Sequence, residues 1–172
     1  MPRHLVLVGL SGAGKSTVGR LAAEQLGAPC IDIDAFLMRQ MGMPVAQIFG
    51  MVGEAEFRSM ERSAVRAALG GPPAVLVPGG GWAAQEGELD AARETSVIIY
   101  LRCQPTVAAK RAQQGETRPL LSGPDPAARL RAQLEAREPF YSRAHHEVRT
   151  DYKTAAEVAA EIVRLAKGEA GW

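Results

Sequence analysis

LVLVGLSGAGKST, residues 5–17, decides the fold. LVLV is an unbroken apolar run, which suits a strand covered on both faces, as in a parallel sheet packed between helices. From Lys15 the spacing changes. Val18, Leu21, Ala22 and Leu26 recur at helical intervals, and Gly27 is placed to end a helix in a left-handed cap. Between strand and helix, Gly9, Gly14, Lys15 and Ser16 satisfy G-x-x-x-x-G-K-[ST]. Small residues let backbone N–H groups turn inward around a phosphate, and the helix N-terminus adds positive potential. The cradle is therefore Gly12, Ala13, Gly14, Lys15, Ser16 and Thr17. Lys15 is expected at the β and γ phosphates of ATP, with the Ser16 hydroxyl on Mg²⁺.

The rest of the chain repeats the alternation. Segments 29–34, 74–77, 96–101 and 146–150 read as strands, and 54–69, 105–114 and a last stretch from Thr154 as helices. Thr154 and Glu157 form a capping box. The expected fold is α/β, a five-stranded parallel sheet flanked by helices, in one domain over 1–172. Ligands in such sheets lie beyond the carboxyl ends of the strands. Lys plus Arg number 20 and Asp plus Glu 19, so no broad charged face for nucleic acid or an anionic membrane is expected. Cys30 and Cys103 are isolated, each within an apolar stretch. They read as buried free thiols in a reducing, cytoplasmic setting. Nothing suggests an amphipathic helix left uncovered, so a monomer is expected.

IDIDAF, residues 31–36, places Asp32 and Asp34 two apart. In an extended stretch they share a side, about 6.6 Å from one another. Both could serve one metal, or one a metal and one a substrate. The plain alternative is a solvated Asp beside a helix N-cap. Proximity to the phosphate loop favours Asp32 on magnesium, through water, and Asp34 on an acceptor hydroxyl. In GEAEFRSMER, residues 53–62, Phe57 and Met60 mark a buried face, with Arg58 at its border and Glu61 one turn on. That pattern fits a ligand-facing guanidinium held by a carboxylate, or an ordinary surface ion pair. Further on, Leu130, Leu134, Arg137 and Tyr141 share a helical stripe. A cation there is either in a buried ion pair or facing an anion-holding cleft. PGGGW, residues 78–82, removes every Cβ where a strand ends, which allows backbone donors to approach a ligand or simply makes a pliant loop. The polar stretch 113–126, with Arg118 its one basic residue, suits a lid or an exposed loop.

In combination these segments resemble the shikimate kinase family, small phosphate-loop kinases of the nucleoside-monophosphate-kinase-like fold. The shared features run in order: GLSGAGKST, the DID pair, GEAEFRSMER, GGG, RPLL and REPFY. The resemblance implies transfer of the ATP γ-phosphate to the 3-hydroxyl of shikimate, with Mg²⁺. It implies Asp34 at that hydroxyl, and Arg58 and Arg137 on the carboxylate. Gly79, Gly80 and Gly81 would face the ring hydroxyls, and Phe49 and Phe57 would wall the carbon ring. Arg111 would lie against adenine, and Arg118 would bridge the phosphates during transfer. The substrate-binding region would span about 33–61 and the lid about 113–126. A gluconate kinase, with the same fold and another carboxylated polyol, is the alternative enzyme.

Overall fold

The computed structural model describes residues 1–113 and 125–172. Five strands form one parallel sheet in the order β2-β3-β1-β4-β5: β1 His4–Val8, β2 Cys30–Asp32, β3 Val75–Val77, β4 Ser96–Arg102 and β5 His146–Arg149. All five residues of β1 are buried, since it runs between β3 and β4 with helices over both faces. Its register against β4 runs from His4↔Ser96 to Val8↔Tyr100. The chain leaves β1 for β2 on one side and later returns to β4 on the other, so the sheet divides beside β1. That is where the phosphate loop begins, as expected of a site at a topological switch point.

Helices α1 Lys15–Leu26, α2 Ile33–Met41, α3 Val45–Leu69, α4 Glu88–Arg93, α5 Pro105–Ala112, α6 Pro126–Tyr141 and α7 Ala155–Glu169 cover the sheet. Gly27 caps α1 in the left-handed region, and the Thr154 hydroxyl accepts from Glu157 N at the start of α7, both as the sequence suggested. Gly14 precedes α1 at φ 92°, a conformation open to glycine and costly for other residues. α3 is two helical segments meeting at Gly53, at φ 83° and ψ 169°. The sequence start at Glu54 therefore marks a real break, while the helical turns before it, from Val45, carried no clear signal. α4 was not anticipated either, and α6 continues through Pro139 to Tyr141.

Two expectations are corrected. The second strand does not extend to Asp34. It stops at Asp32, whose Oδ1 accepts from Ala35 N at 3.1 Å and so caps α2. Such a cap stabilises a helix by about 1 kcal/mol, and here it turns the chain before a further strand residue can pair. Cys30 is exposed and only Cys103 is buried, because β2 is a short edge strand with one neighbour. No helix among the described residues is long and apolar enough to cross a membrane.

Candidate active site

A cavity of about 380 Å³ opens along the carboxyl ends of the strands. The phosphate loop forms its floor, from Ser11 through Val18. Close packing explains the loop's small residues. A Cβ on Gly9 would meet the Leu101 carbonyl at 2.5 Å, and one on Gly12 would run into the Ala108 carbonyl. Lys15 is buried, and its ammonium donates to the carbonyls of Gly9 at 2.7 Å and Leu10 at 2.8 Å. Those bonds fold the charge back over the loop mouth, where a terminal phosphate would sit.

At the next strand tip, Ser16 Oγ donates to Asp32 Oδ2 at 2.5 Å. Asp32 thus does two things at once, capping α2 with one oxygen and holding Ser16 with the other. A hydroxyl and a carboxylate at the phosphate end of the cavity fit magnesium, which takes few protein ligands and keeps waters and phosphate oxygens. No cluster of three or more His, Cys, Asp or Glu with metal-holding geometry occurs among the described residues. Asp34 lines the same cavity from the first turn of α2. The side-by-side argument from an extended strand therefore fails, yet both carboxylates reach the cleft. Helix α2 carries Asp34 forward beyond the strand tip, toward Gly79.

The triple glycine is explained by what presses on it. A Cβ on Gly79 would collide with Glu61 Oε2 and lie 3.5 Å from Asp34 Oδ1. One on Gly80 would lie 3.2 Å from Arg137 Nη1, and one on Gly81 would come within 2.6 Å of Arg58 Nη2. Two carboxylates and two guanidiniums from three helices thus converge on a backbone stripped of side chains. The glycines provide room there, beyond any turn geometry.

Arg58 donates to Glu61 Oε1 at 3.0 Å, as the i, i+3 spacing suggested. The surface-pair reading is excluded, because the Glu61 side chain is 0% exposed and that of Arg58 15%. An exposed pair contributes about 0–1 kcal/mol, whereas removing one partner of a buried pair costs about 3–5 kcal/mol. Burial pushes the Glu61 carboxyl above the usual carboxylate range. Arg58 opposes that shift, and Asp34 adds to it. Glu61 Oε1 also accepts from Gln85 Nε2 at 3.0 Å, and Arg62 Nη1 bonds Gln85 Oε1 at 2.5 Å. The sequence offered no signal for Gln85.

Phe49 and Phe57 pack together with centroids 5.6 Å apart, and the Arg58 guanidinium lies 5.8 Å from the Phe57 ring. Phe57 is thus a platform for Arg58. At the other end of the cleft, Arg111 lines the cavity and donates to Thr150 Oγ1 and Thr150 O, each at 3.1 Å. Its neighbour Lys110 is exposed. Thr150, Lys153 and Ala155 also line that end and were missed. The rule that ligands sit beyond strand ends, applied to β5, would have found them. Arg118 and most of the lid stretch lie outside the described residues.

A family model described as shikimate kinase matches residues 11–167. The shikimate kinase of Symbiobacterium thermophilum is 43% identical over 98% of this chain and 99% of its own length. A solved structure of shikimate kinase from Acinetobacter baumannii in complex with shikimate superposes with a TM-score of 0.92 at 31% identity, covering 98% of this chain and 94% of that one. A gluconokinase from Sinorhizobium meliloti superposes with a TM-score of 0.67 at 24% identity, covering 99% of this chain and 94% of that one, a likeness of fold alone.

Proposed function

The chain belongs to the shikimate kinase family, and from that premise we propose how its own residues divide the work. The reaction is ATP-dependent phosphorylation of the shikimate 3-hydroxyl, giving 3-phosphoshikimate and ADP in aromatic amino acid biosynthesis. The proposal covers the site assignment, the use of Mg²⁺, a single catalytic domain with substrate region 33–61 and lid 113–126, and a cytoplasmic monomer.

One observation carries the site assignment: Arg58 and Arg137 both press on Gly79–Gly81 while Asp34 stands beside the same backbone. A planar carboxylate is well matched by two guanidiniums, which give directional, charge-assisted bonds. The adjoining acid and bare glycine backbone suit ring hydroxyls, and Phe49 and Phe57 supply the apolar wall. Asp34 accepts from the attacking hydroxyl and orients it. In a loose phosphoryl-transfer transition state that hydroxyl needs little activation, so Asp34 works more through alignment than as a strong base.

The phosphate-loop N–H groups of Gly12–Thr17 and the Lys15 ammonium neutralise charge on the terminal phosphates. Ser16 and Asp32 would hold a magnesium ion, which when bound would add further neutralisation of phosphate charge. Arg111 packs at the adenine end. Arg118, assigned through the family resemblance, stabilises charge on the transferring group.

Steady-state turnover with ATP and either shikimate or gluconate tests the reading. Shikimate should be phosphorylated with a kcat/KM at least about 10³-fold higher, since a site that pairs buried polar groups with one acid penalises another strongly. Comparable turnover of gluconate would overturn the specificity assigned to this pocket.

A further inference from the structure

The last residue of α6, Tyr141, is 0% exposed and belongs to none of the groups assigned above. Its hydroxyl donates to the Gly80 carbonyl at 2.5 Å. One helical turn back sits Arg137; burial pushes the phenol's pKa up, and the Arg137 charge opposes that rise. Arg137 Nη1 also faces Gly80 directly. The phenol oxygen therefore has one proton, given to Gly80, and lone pairs facing a cation. Behind it the ring stacks on Tyr100, with centroids 5.0 Å apart and planes at 30°, and the Tyr100 hydroxyl is fixed to Glu138 Oε2 at 2.7 Å.

Two consequences follow from that bridge. Arg137 and the Tyr141 hydroxyl meet at the same glycine, Gly80, so fixing one bears on the other. The second consequence comes from peptide geometry. In a trans peptide the carbonyl of one residue and the N–H of the next point in opposite directions. Between glycines, with no Cβ to resist it, that unit rotates easily. Tying down the Gly80 carbonyl therefore aims the Gly81 N–H away from Tyr141 and keeps it there.

We propose that Tyr141 is a positioning residue for the acid substrate, its hydroxyl fixing both the Arg137 guanidinium and the Gly80–Gly81 peptide. The proposal rests on the reading of Arg137 as a carboxylate clamp. Tyr141 itself touches neither shikimate nor ATP.

The test is steady-state kinetics of Tyr141→Phe, Tyr100→Phe and Arg137→Ala, each with its thermal midpoint. Tyr141→Phe keeps the ring and its stack and removes only the bridge. Its shikimate KM should rise about tenfold, the loss expected of one hydrogen bond to a charged group, with kcat and the ATP KM within about twofold. Tyr100→Phe, which loses a comparable buried hydroxyl bond on the same stack, should leave the shikimate KM unchanged. Arg137→Ala should raise it further than Tyr141→Phe. Combined with Arg137→Ala, the tyrosine substitution should add less than its effect alone. If Arg137→Ala raises the shikimate KM and Tyr141→Phe does not, the positioning role is wrong and the clamp stands. Equal KM increases from both Phe variants would show a packing effect and overturn the role. An Arg137→Ala variant with unchanged KM would remove the clamp, and with it the role built on it.

Discussion

The phosphate cradle and the proposed acid pocket meet at Asp34, Gly79 and Gly80 but are built in opposite ways. The cradle is contiguous. Gly9 through Thr17 carry its loop and first helical turn, and Lys15 bonds carbonyls only five and six residues away. The proposed acid pocket draws on Asp34 of α2, Arg58 and Glu61 of α3, the glycines after β3, and Arg137 and Tyr141 of α6. Its residues are spread along the chain from Asp34 to Tyr141. Glu61 aims Arg58 through a buried bond, and Tyr141 is proposed to do the same for Arg137. A local site draws its precision from backbone conformation, whereas a dispersed site draws it from buried side-chain bonds that the fold must bring together.

If that contrast is right, damage to the cradle should affect both substrates' chemistry, and damage to the pocket should affect the acid alone. The largest effect is expected for Lys15→Ala. Turnover should fall by about 10³-fold or more, since the main phosphate-facing cation is lost, while circular dichroism and the thermal midpoint show an intact fold. Substantial residual kcat would mean the cradle binds nucleotide without driving transfer. Asp34→Asn comes next, with kcat down by about 10²–10³-fold at an unchanged ATP KM. A near-normal kcat would demote Asp34 to a bystander and break the join between the two halves.

How much of this was legible follows the same division. The cradle, its strand and its helix could be read directly, because hydrophobic period, glycine spacing and Lys15 all lie within one short window. The parallel sheet followed from the alternation of elements. Asp34, Arg58, Arg137 and the glycines were nameable through the family resemblance and through single anomalies, such as an arginine on an apolar stripe. Their convergence was implied by the resemblance alone; the residues by themselves did not show it, because it depends on where α3 and α6 cross the sheet. The strand end at Asp32 was misplaced because an Asp after apolar residues fits a strand tip and an N-cap equally well, and the Ala35 N–H decides between them. Gln85 and the bond from Tyr141 to Gly80 left no local trace, since a polar loop residue and an aromatic at a helix end are both ordinary.

Two smaller predictions sharpen the contrast inside the pocket. Gly81→Ala places a methyl within 2.6 Å of Arg58 Nη2. The guanidinium must move off Glu61 to make room, which breaks a buried ion pair, so stability should drop by about 3–5 kcal/mol. The shikimate KM should rise about tenfold with the ATP KM unmoved, and equal losses for both substrates would mean the glycines serve the whole cleft. The least effect is a pH dependence. Burial lifts the Glu61 carboxyl above its ordinary value of 4.5. As pH falls through that raised value, Glu61 gains a proton and Arg58 loses its counter-charge, so the shikimate KM should rise a few-fold above the ordinary carboxylate range. Above the raised value Glu61 is charged. Between 4.5 and the raised value the folded chain binds more protons than the unfolded one, so charging Glu61 costs stability as pH rises. Glu61→Gln should abolish this acid limb, and a limb that persists in the variant would assign it to another group.

The most direct test of the central claim is a crystal structure with shikimate and ADP bound together. The account predicts the acid's carboxylate on Arg58 and Arg137 and a ring hydroxyl on Asp34 facing the phosphate loop. A shikimate bound elsewhere in the cleft, touching neither guanidinium, would contradict it.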